Sequence, residues 1–187
     1  MATNQVADEA LNLPREPVAP WIRVLAIVVA LLWLGVLAWQ IVVLPERVPV
    51  QFEVGGPPTS WSSRLGALVF PVLMVAAVTL PAAFVPALVF RAPGSISAPN
   101  RQWWTATPAR LRRFERLLRE DLLLLGVAGT VLIVVVQVQI TLAARSPDGQ
   151  APPEMWLAMV VALAGLLVPF ARMIGAGGRY DRQPDLG

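Results

Sequence analysis

An arginine-rich segment between two long apolar runs constrains this chain more than any other feature. Residues 91–121 hold seven of the fifteen basic residues, all of them arginine, whereas residues 65–90 and 122–144 carry no charge. A short loop rich in arginine resists transfer across a bilayer, and the side on which it stays sets the orientation of the adjacent spans. The sequence therefore predicts that this segment is cytoplasmic and connects two membrane spans.

Composition supports a membrane protein and excludes several kinds of site. The chain is 56% hydrophobic and 14% charged, whereas soluble domains average about 25% charged residues. It contains no histidine and no cysteine, so thiol chemistry, disulfides and ordinary zinc or copper sites are excluded. No cofactor, metal or catalytic group is predicted. The net charge of +3 comes from arginines that flank the spans, so it does not indicate nucleic-acid binding.

Four uncharged runs are long enough to be membrane spans, since about 20 apolar residues cross a bilayer. They cover residues 24–44, 65–90, 122–144 and 155–171. The predicted fold is an all-α bundle of four transmembrane helices in residues 21–174, with a flexible tail at 1–20 and a second tail at 175–187. Both termini then lie in the cytoplasm, with twelve arginines on that side and three outside, as the positive-inside rule expects.

The second span contains three prolines, Pro71, Pro81 and Pro86. Membrane helices tolerate proline where neighbouring groups satisfy the freed carbonyls, so a packed, kinked helix is expected. The alternative is a broken helix that lines a transport site. No acidic or basic residue lies inside any predicted span, and this argues against a proton-coupled transporter or ion pump.

Residues 108–121 have apolar side chains at helical spacing with arginines between them. This pattern predicts an amphipathic helix that lies at the cytoplasmic membrane surface and runs into the third span. Glu115 with Arg119, and Arg116 with Glu120, have the spacing of ion pairs within a helix. The helix is either a docking surface for anionic lipids or a partner, or a simple anchor whose charges are solvated.

The predicted outer loop, residues 44–64, is short and unusual in composition. Apolar Val48, Val50, Phe52 and Val54 alternate with other residues, which indicates a short extended strand with one apolar face. Glycines and prolines at 55–58 predict a turn. The loop is expected to close over the outer helix ends, with its polar edge against span glutamines.

Two motifs resemble a family of small bacterial membrane proteins of unknown function. The first follows span one and comprises Leu44, Pro45, Pro49, Phe52, Gly56, Pro58, Trp61, Ser63 and Arg64. The second is Pro99-Asn100 with Trp104 shortly behind it. The family is related to the N-terminal module of SdpI-type immunity proteins, so the resemblance implies a multi-span protein of the bacterial cytoplasmic membrane. In its best-known members it implies immunity to a secreted peptide toxin.

This chain departs from the family pattern at two positions. Gln51 stands where the family often has histidine, and Thr59 where it often has an acidic residue. The side chains that could bind a metal or a proton at those positions are therefore missing. A purely structural role of the loop residues is the alternative interpretation.

The sequence leaves two hypotheses for a non-catalytic function. The first is a binding or immunity-type module that captures a secreted peptide or other protein partner at its outer loop and helix ends. The second is an accessory subunit of a larger bioenergetic or transport complex, and a small-solute permease is a weaker third. The candidate binding residues are Phe52, Trp61, Gln40, Gln137, Gln139, Pro99, Asn100 and Trp104.

Overall fold

A computed structural model describes residues 3–53, 57–150, 153–174 and 179–186. The elements are α1 (Thr3–Asn12), α2 (Pro20–Val43), β1 (Arg47–Phe52), β2 (Pro58–Ser63), α3 (Arg64–Arg91), α4 (Arg101–Trp104), α5 (Pro108–Arg145) and α6 (Glu154–Ile174). Two 3₁₀ turns lie at Pro93–Ser95 and Pro184–Leu186.

Four of these helices, α2, α3, α5 and α6, are long and apolar enough to cross a membrane. In α2, α3 and α6, most of the large apolar side chains are exposed to the surroundings of the protein, a distribution that a lipid environment stabilises. The large apolar side chains of α5 are buried or half-buried. The chain is thus a multi-pass membrane protein with a short two-stranded hairpin, and the predicted fold class is confirmed.

Helix α5 is the centre of the assembly, because α2, α3 and α6 all pack against it. At its crossing with α3, a Cβ built on Gly126 would lie 3.1 Å from the carbonyl oxygen of Val78. A larger residue would require the α3 backbone to move by a few tenths of an ångström, so the glycine favours this close approach of the two helices. Gly126 therefore lies on a face of α5 that packs against α3.

Helix α3 runs without interruption from Arg64 to Arg91 through its three internal prolines. The broken-helix alternative is therefore wrong for this span. The helix begins at Ser63, whose side chain accepts a hydrogen bond of 3.1 Å from the amide of Gly66. This is an ordinary N-cap.

The predicted helix at 108–121 runs into the third span, as expected. It forms the first third of α5, which has 38 residues and at about 1.5 Å per residue exceeds the bilayer core of roughly 30 Å. The excess continues beyond the membrane in the direction of the span and does not lie flat on the surface. Its apolar residues pack instead against α1 and the C-terminal segment, both of which cover it.

The prediction of a mobile tail at 1–20 differs from the structure. Residues 3–12 form α1, which buries Val6, Ala7 and Ala10 against α3 and α5. The sequence gives little indication that these three residues are buried, because two of them are alanines in an otherwise polar segment. Of the second predicted tail, residues 179–186 are described, and they also pack onto the start of α5.

The structure thus has two distinct ends. We call the end that holds residues 108–121, α1 and the C-terminal segment the arginine end. We call the end that holds β1, β2 and the loop 146–150 the hairpin end.

Candidate binding surfaces at the two ends of the bundle

The hairpin end is built from β1 and β2, which pair in antiparallel fashion. The register pairs Val48 with Ser62 and Pro49 with Trp61, and then shifts on both sides of Gln51. Val48 and Pro49 are both buried in succession, which differs from the predicted alternation. The predicted extended strand is present, while Gly55 and Gly56 of the predicted turn lie outside the described residues.

The hairpin is fixed to the helix ends by a small apolar cluster. Leu44 and Val48 are buried with Ala67 of α3, and Ile140 and Ala144 of α5 pack against them. The Arg64 guanidinium donates a hydrogen bond to the carbonyl of Ile41. The backbone amide of Arg64 donates to the backbone carbonyl of Glu46 over 3.0 Å. Arg64 therefore satisfies a carbonyl that the end of α2 would leave without a donor.

Trp61 projects from this fixed hairpin and is 48% exposed. The guanidinium carbon of Arg47 lies 5.9 Å from the centroid of its ring, within the range of a cation–π contact. Phe52 lies opposite Pro58 near the hairpin tip and is half-buried. The two aromatic candidates of the outer loop are therefore on one hairpin, with Trp61 as the more accessible.

The glutamines below the hairpin bond to each other and not to the loop. The Gln40 side chain donates to the hydroxyl of Thr141 over 2.9 Å and to the backbone carbonyl of Gln137 over 3.2 Å. The Gln137 side chain donates to Gln40 over 2.6 Å. The predicted contact of these side chains with the loop is wrong, because their hydrogen bonds are made between α2 and α5. Gln139 is buried on the same stretch of α5.

We expect the glutamine pair to behave as an interdependent unit. Gln40→Leu leaves the Gln137 amide without its acceptor, so it should lower stability by about 1–2 kcal/mol. The double variant with Gln137→Leu removes both partners and should recover at least half of that loss. Unfolding by sodium dodecyl sulfate in mixed micelles measures both variants. If the loss of stability in the double variant equals the sum of the losses in Gln40→Leu and Gln137→Leu, the two side chains are not interdependent.

The arginine end has a buried network of charges. Arg112, Glu115, Arg119, Glu120 and Asp121 of α5 are each at most 8% exposed. The interpretation of this segment as an anchor with solvated charges is therefore wrong. Unpaired buried charges would be costly. These charges can be buried because the N-terminal and C-terminal segments of the chain supply partners for them.

The N-terminal segment supplies the first set of partners. Arg112 donates to the carbonyls of Leu11 and Leu13 over 3.1 and 2.7 Å, which caps the end of α1. The Glu16 carboxylate lies 3.0 Å from Arg113 and 3.1 Å from Arg116. Residues 11–19 are thus held along α5 up to the beginning of α2.

The predicted ion pairs within α5 had mixed outcomes. Glu115 and Arg119 do pair at 3.4 Å. Arg116, in contrast, pairs with Glu16, while Glu120 accepts a hydrogen bond from the amide of Ala19 over 2.9 Å. The second predicted pair is wrong because partners distant in the sequence occupy both groups.

The C-terminal segment supplies the second set of partners, all centred on Asp121. This carboxylate is fully buried and lies 3.3 Å from Arg172 and 3.2 Å from Arg179. It also accepts a hydrogen bond of 2.8 Å from the hydroxyl of Tyr180. Burial, and then the neighbouring Asp121 charge, raise the pKa of the Tyr180 hydroxyl above its ordinary value. This hydroxyl therefore remains protonated and can donate to the carboxylate.

Trp104 belongs to this end and is a core residue. It is completely buried, its ring lies 5.5 Å from that of Phe114, and its indole nitrogen donates to the carbonyl of Tyr180 over 2.8 Å. Asn100 adopts a left-handed conformation with φ 57° at the start of α4 and donates to Asp181 over 3.4 Å. Pro99 is exposed in the turn before it.

The two groups of predicted binding residues therefore do not form one site. Pro99, Asn100 and Trp104 lie at the arginine end, whereas Phe52 and Trp61 lie at the hairpin end. Along α5 alone, Asp121 and Gln137 are sixteen positions apart, which corresponds to about 24 Å. The predicted binding residues do not include Arg179 and Tyr180, which contact Asp121. The only sequence feature that distinguishes them is that Tyr180 is the single tyrosine of the chain, in a polar, glycine-rich tail.

Neither end has an arrangement typical of a metal centre. Within the described ranges, no three acidic side chains come together in a way that could hold a metal ion. The adjacent acidic residues Glu120 and Asp121 both form ion pairs with Arg179.

Comparison with known proteins gives a family for part of the chain. Residues 26–75 match DUF1648, a domain of unknown function. The matched segment covers most of α2, the whole hairpin and the first turns of α3. It therefore includes the motif after the first span and excludes the Pro99-Asn100 motif. No curated protein and no solved structure matches the chain.

Proposed function

We propose that this protein is a non-catalytic binding module of the immunity type, which holds a secreted peptide or another protein partner at its hairpin end. One observation carries the proposal. The DUF1648 segment builds a hairpin that is fixed to the helix ends by buried Leu44 and Val48, yet leaves Trp61 about half exposed. Tryptophan is the residue type most enriched in the energetic centres of protein interfaces.

The same proposal includes an orientation and a membrane. The arginine end faces the cytoplasm and the hairpin end faces outward in a bacterial cytoplasmic membrane, because arginine is concentrated in segments that are not translocated. The resemblance of the motif around Trp61 to SdpI-type immunity proteins supports a secreted peptide as the class of partner.

We expect Trp61→Ala to abolish protection of host cells against a membrane-active secreted peptide, while the protein still inserts. Trp156→Ala is the matched control, because Trp156 is 42% exposed and begins the last span at the same end. Survival of a strain that lacks the gene, complemented with each variant, is the measurement. Phe52→Ala should reduce protection less, since this side chain is half-buried.

Two results would argue against this function. Equal protection by Trp61→Ala and wild-type protein would show that the hairpin is not the site. Migration of the chain inside a large assembly in blue-native electrophoresis would favour an accessory subunit.

Insertion and orientation are checked with Glu53→Cys in this cysteine-free chain, because a membrane-impermeant maleimide should label it from outside.

A further inference from the structure

An apolar groove of about 280 Å³ lies between α2 and α3, with α5 as its floor. It exists because α2 and α3 both pack on α5 but touch each other little. Small residues shape it, among them Ala26 and Ala30 of α2, Ala82 of α3 and Gly126 of α5. Ala30 is exposed, so the groove is open to the surrounding lipid.

The polar atoms along the groove are already engaged or covered. The Thr79 hydroxyl donates to the carbonyl of Val75, and the Thr130 hydroxyl donates to the carbonyl of Gly126, both over 2.7 Å. The indole nitrogen of Trp33 is buried and has no hydrogen-bond partner among the described residues. The wall thus presents hydrocarbon, and at membrane depth an empty apolar space of this kind would forfeit packing energy. A hydrocarbon chain is the occupant that matches it.

The groove covers one leaflet only. Its lining on α2 runs from Ala26 to Trp33, which is about 10 Å along the helix. It starts near the arginine end, where exposed Trp21 marks the membrane boundary and lies 5.5 Å from the Arg172 guanidinium. Half of a hydrocarbon core of roughly 30 Å is about 15 Å. The groove therefore matches the acyl chain of a lipid in the leaflet at the arginine end.

A positive charge lies at the mouth of the groove. Arg23 precedes Ala26 by three residues and Ala30 by seven, so it shares their face of α2, one turn closer to the membrane surface. It is exposed, and within the part of the chain that the structure describes its guanidinium makes no ion pair or hydrogen bond. Many neighbouring arginines of this end, in contrast, are paired, among them Arg112, Arg113, Arg116, Arg119, Arg172 and Arg179.

We propose that this groove is a binding site for an anionic phospholipid, with one acyl chain between α2 and α3 and the headgroup phosphate at Arg23. The site is independent of the hairpin end and of any protein partner there. One arginine near the headgroups contributes about 1 kcal/mol towards an anionic lipid. This corresponds to a preference of about fivefold over a zwitterionic lipid.

The test uses the full chain in nanodiscs that contain phosphatidylglycerol and phosphatidylcholine, with brominated acyl chains on one lipid at a time. Quenching of Trp33 is obtained as the difference between wild-type protein and Trp33→Phe. We expect brominated phosphatidylglycerol to compete about fivefold better than brominated phosphatidylcholine at this tryptophan. Equal quenching by the two lipids would overturn the headgroup assignment.

Two pairs of variants separate a specific site from general effects. Arg23→Gln should remove the preference, whereas Arg91→Gln, at another exposed arginine of the same end, should retain it. Ala30→Leu fills the groove from its open side and should decrease quenching by both lipids, whereas Ala38→Leu, at an exposed position outside the lining, should not. If Arg91→Gln acts like Arg23→Gln, or Ala38→Leu like Ala30→Leu, the proposed site does not exist.

Discussion

Replacing Asp121 by alanine should destabilise this protein by about 3–5 kcal/mol, the cost of breaking a buried ion pair by removing one partner. Asp121 is completely buried and is the common partner of Arg172, Arg179 and Tyr180. Without this carboxylate, the guanidinium groups of Arg172 and Arg179 lose a buried partner of opposite charge. Unfolding in mixed detergent micelles measures the loss, and proteolysis should show release of the C-terminal segment.

The matched control for this variant is Asp185→Ala. Asp185 also pairs with an arginine of α5, Arg113 at 3.7 Å, but its side chain is 62% exposed. An exposed pair of this kind contributes about 0–1 kcal/mol, so the control should unfold almost like the wild-type protein. Similar losses for both variants would mean that burial is not what makes Asp121 important.

Replacing Trp104 by alanine should have a comparable effect, about 3–5 kcal/mol, because it removes a large buried aromatic side chain. The ring lies between Trp103 and Phe114, at 4.8 and 5.5 Å between centroids. Its indole nitrogen also holds the carbonyl of Tyr180. The same detergent unfolding experiment measures the change, with loss of Tyr180 docking visible as faster proteolysis near the C-terminus.

Two further variants distinguish a core role for Trp104 from a binding role. Trp104→Phe keeps an aromatic ring but loses the hydrogen bond, so it should cost about 1–2 kcal/mol. Trp21→Ala, at a tryptophan that is 52% exposed, should change stability little. A stable Trp104→Ala protein that has lost only partner binding would restore the original interpretation of Trp104 as a binding residue.

Trp104 also shows why a motif does not define a site. The two motifs that resemble one family follow the first and second spans. The second span lies between them in the chain, so they are on opposite sides of the bilayer. Phe52 and Trp61 are therefore separated from Asn100 and Trp104 by the thickness of the membrane. The family match itself covers residues 26–75 only, which includes the first motif alone.

Sequence alone determined the membrane class, the four long helices and the short extended segment after the first of them. These properties depend on local composition, because about 20 uncharged residues in succession must cross the hydrocarbon and prolines and glycines must interrupt regular structure. The ion pair of Glu115 with Arg119 was also predictable, since its partners are four residues apart in one helix.

Only the tertiary structure decided which arginines are solvated and which are buried. The segment 108–121 has the sequence pattern of a surface helix. In the structure, however, Arg112 donates to the carbonyls of Leu11 and Leu13, and Arg119 donates to the carbonyl of Glu16. Asp121 of the same segment pairs with Arg179 and Tyr180. These contacts join residues about 60 to 100 positions apart. No local periodicity encodes such pairings, because their free energy depends on the burial and charge that two distant segments create together.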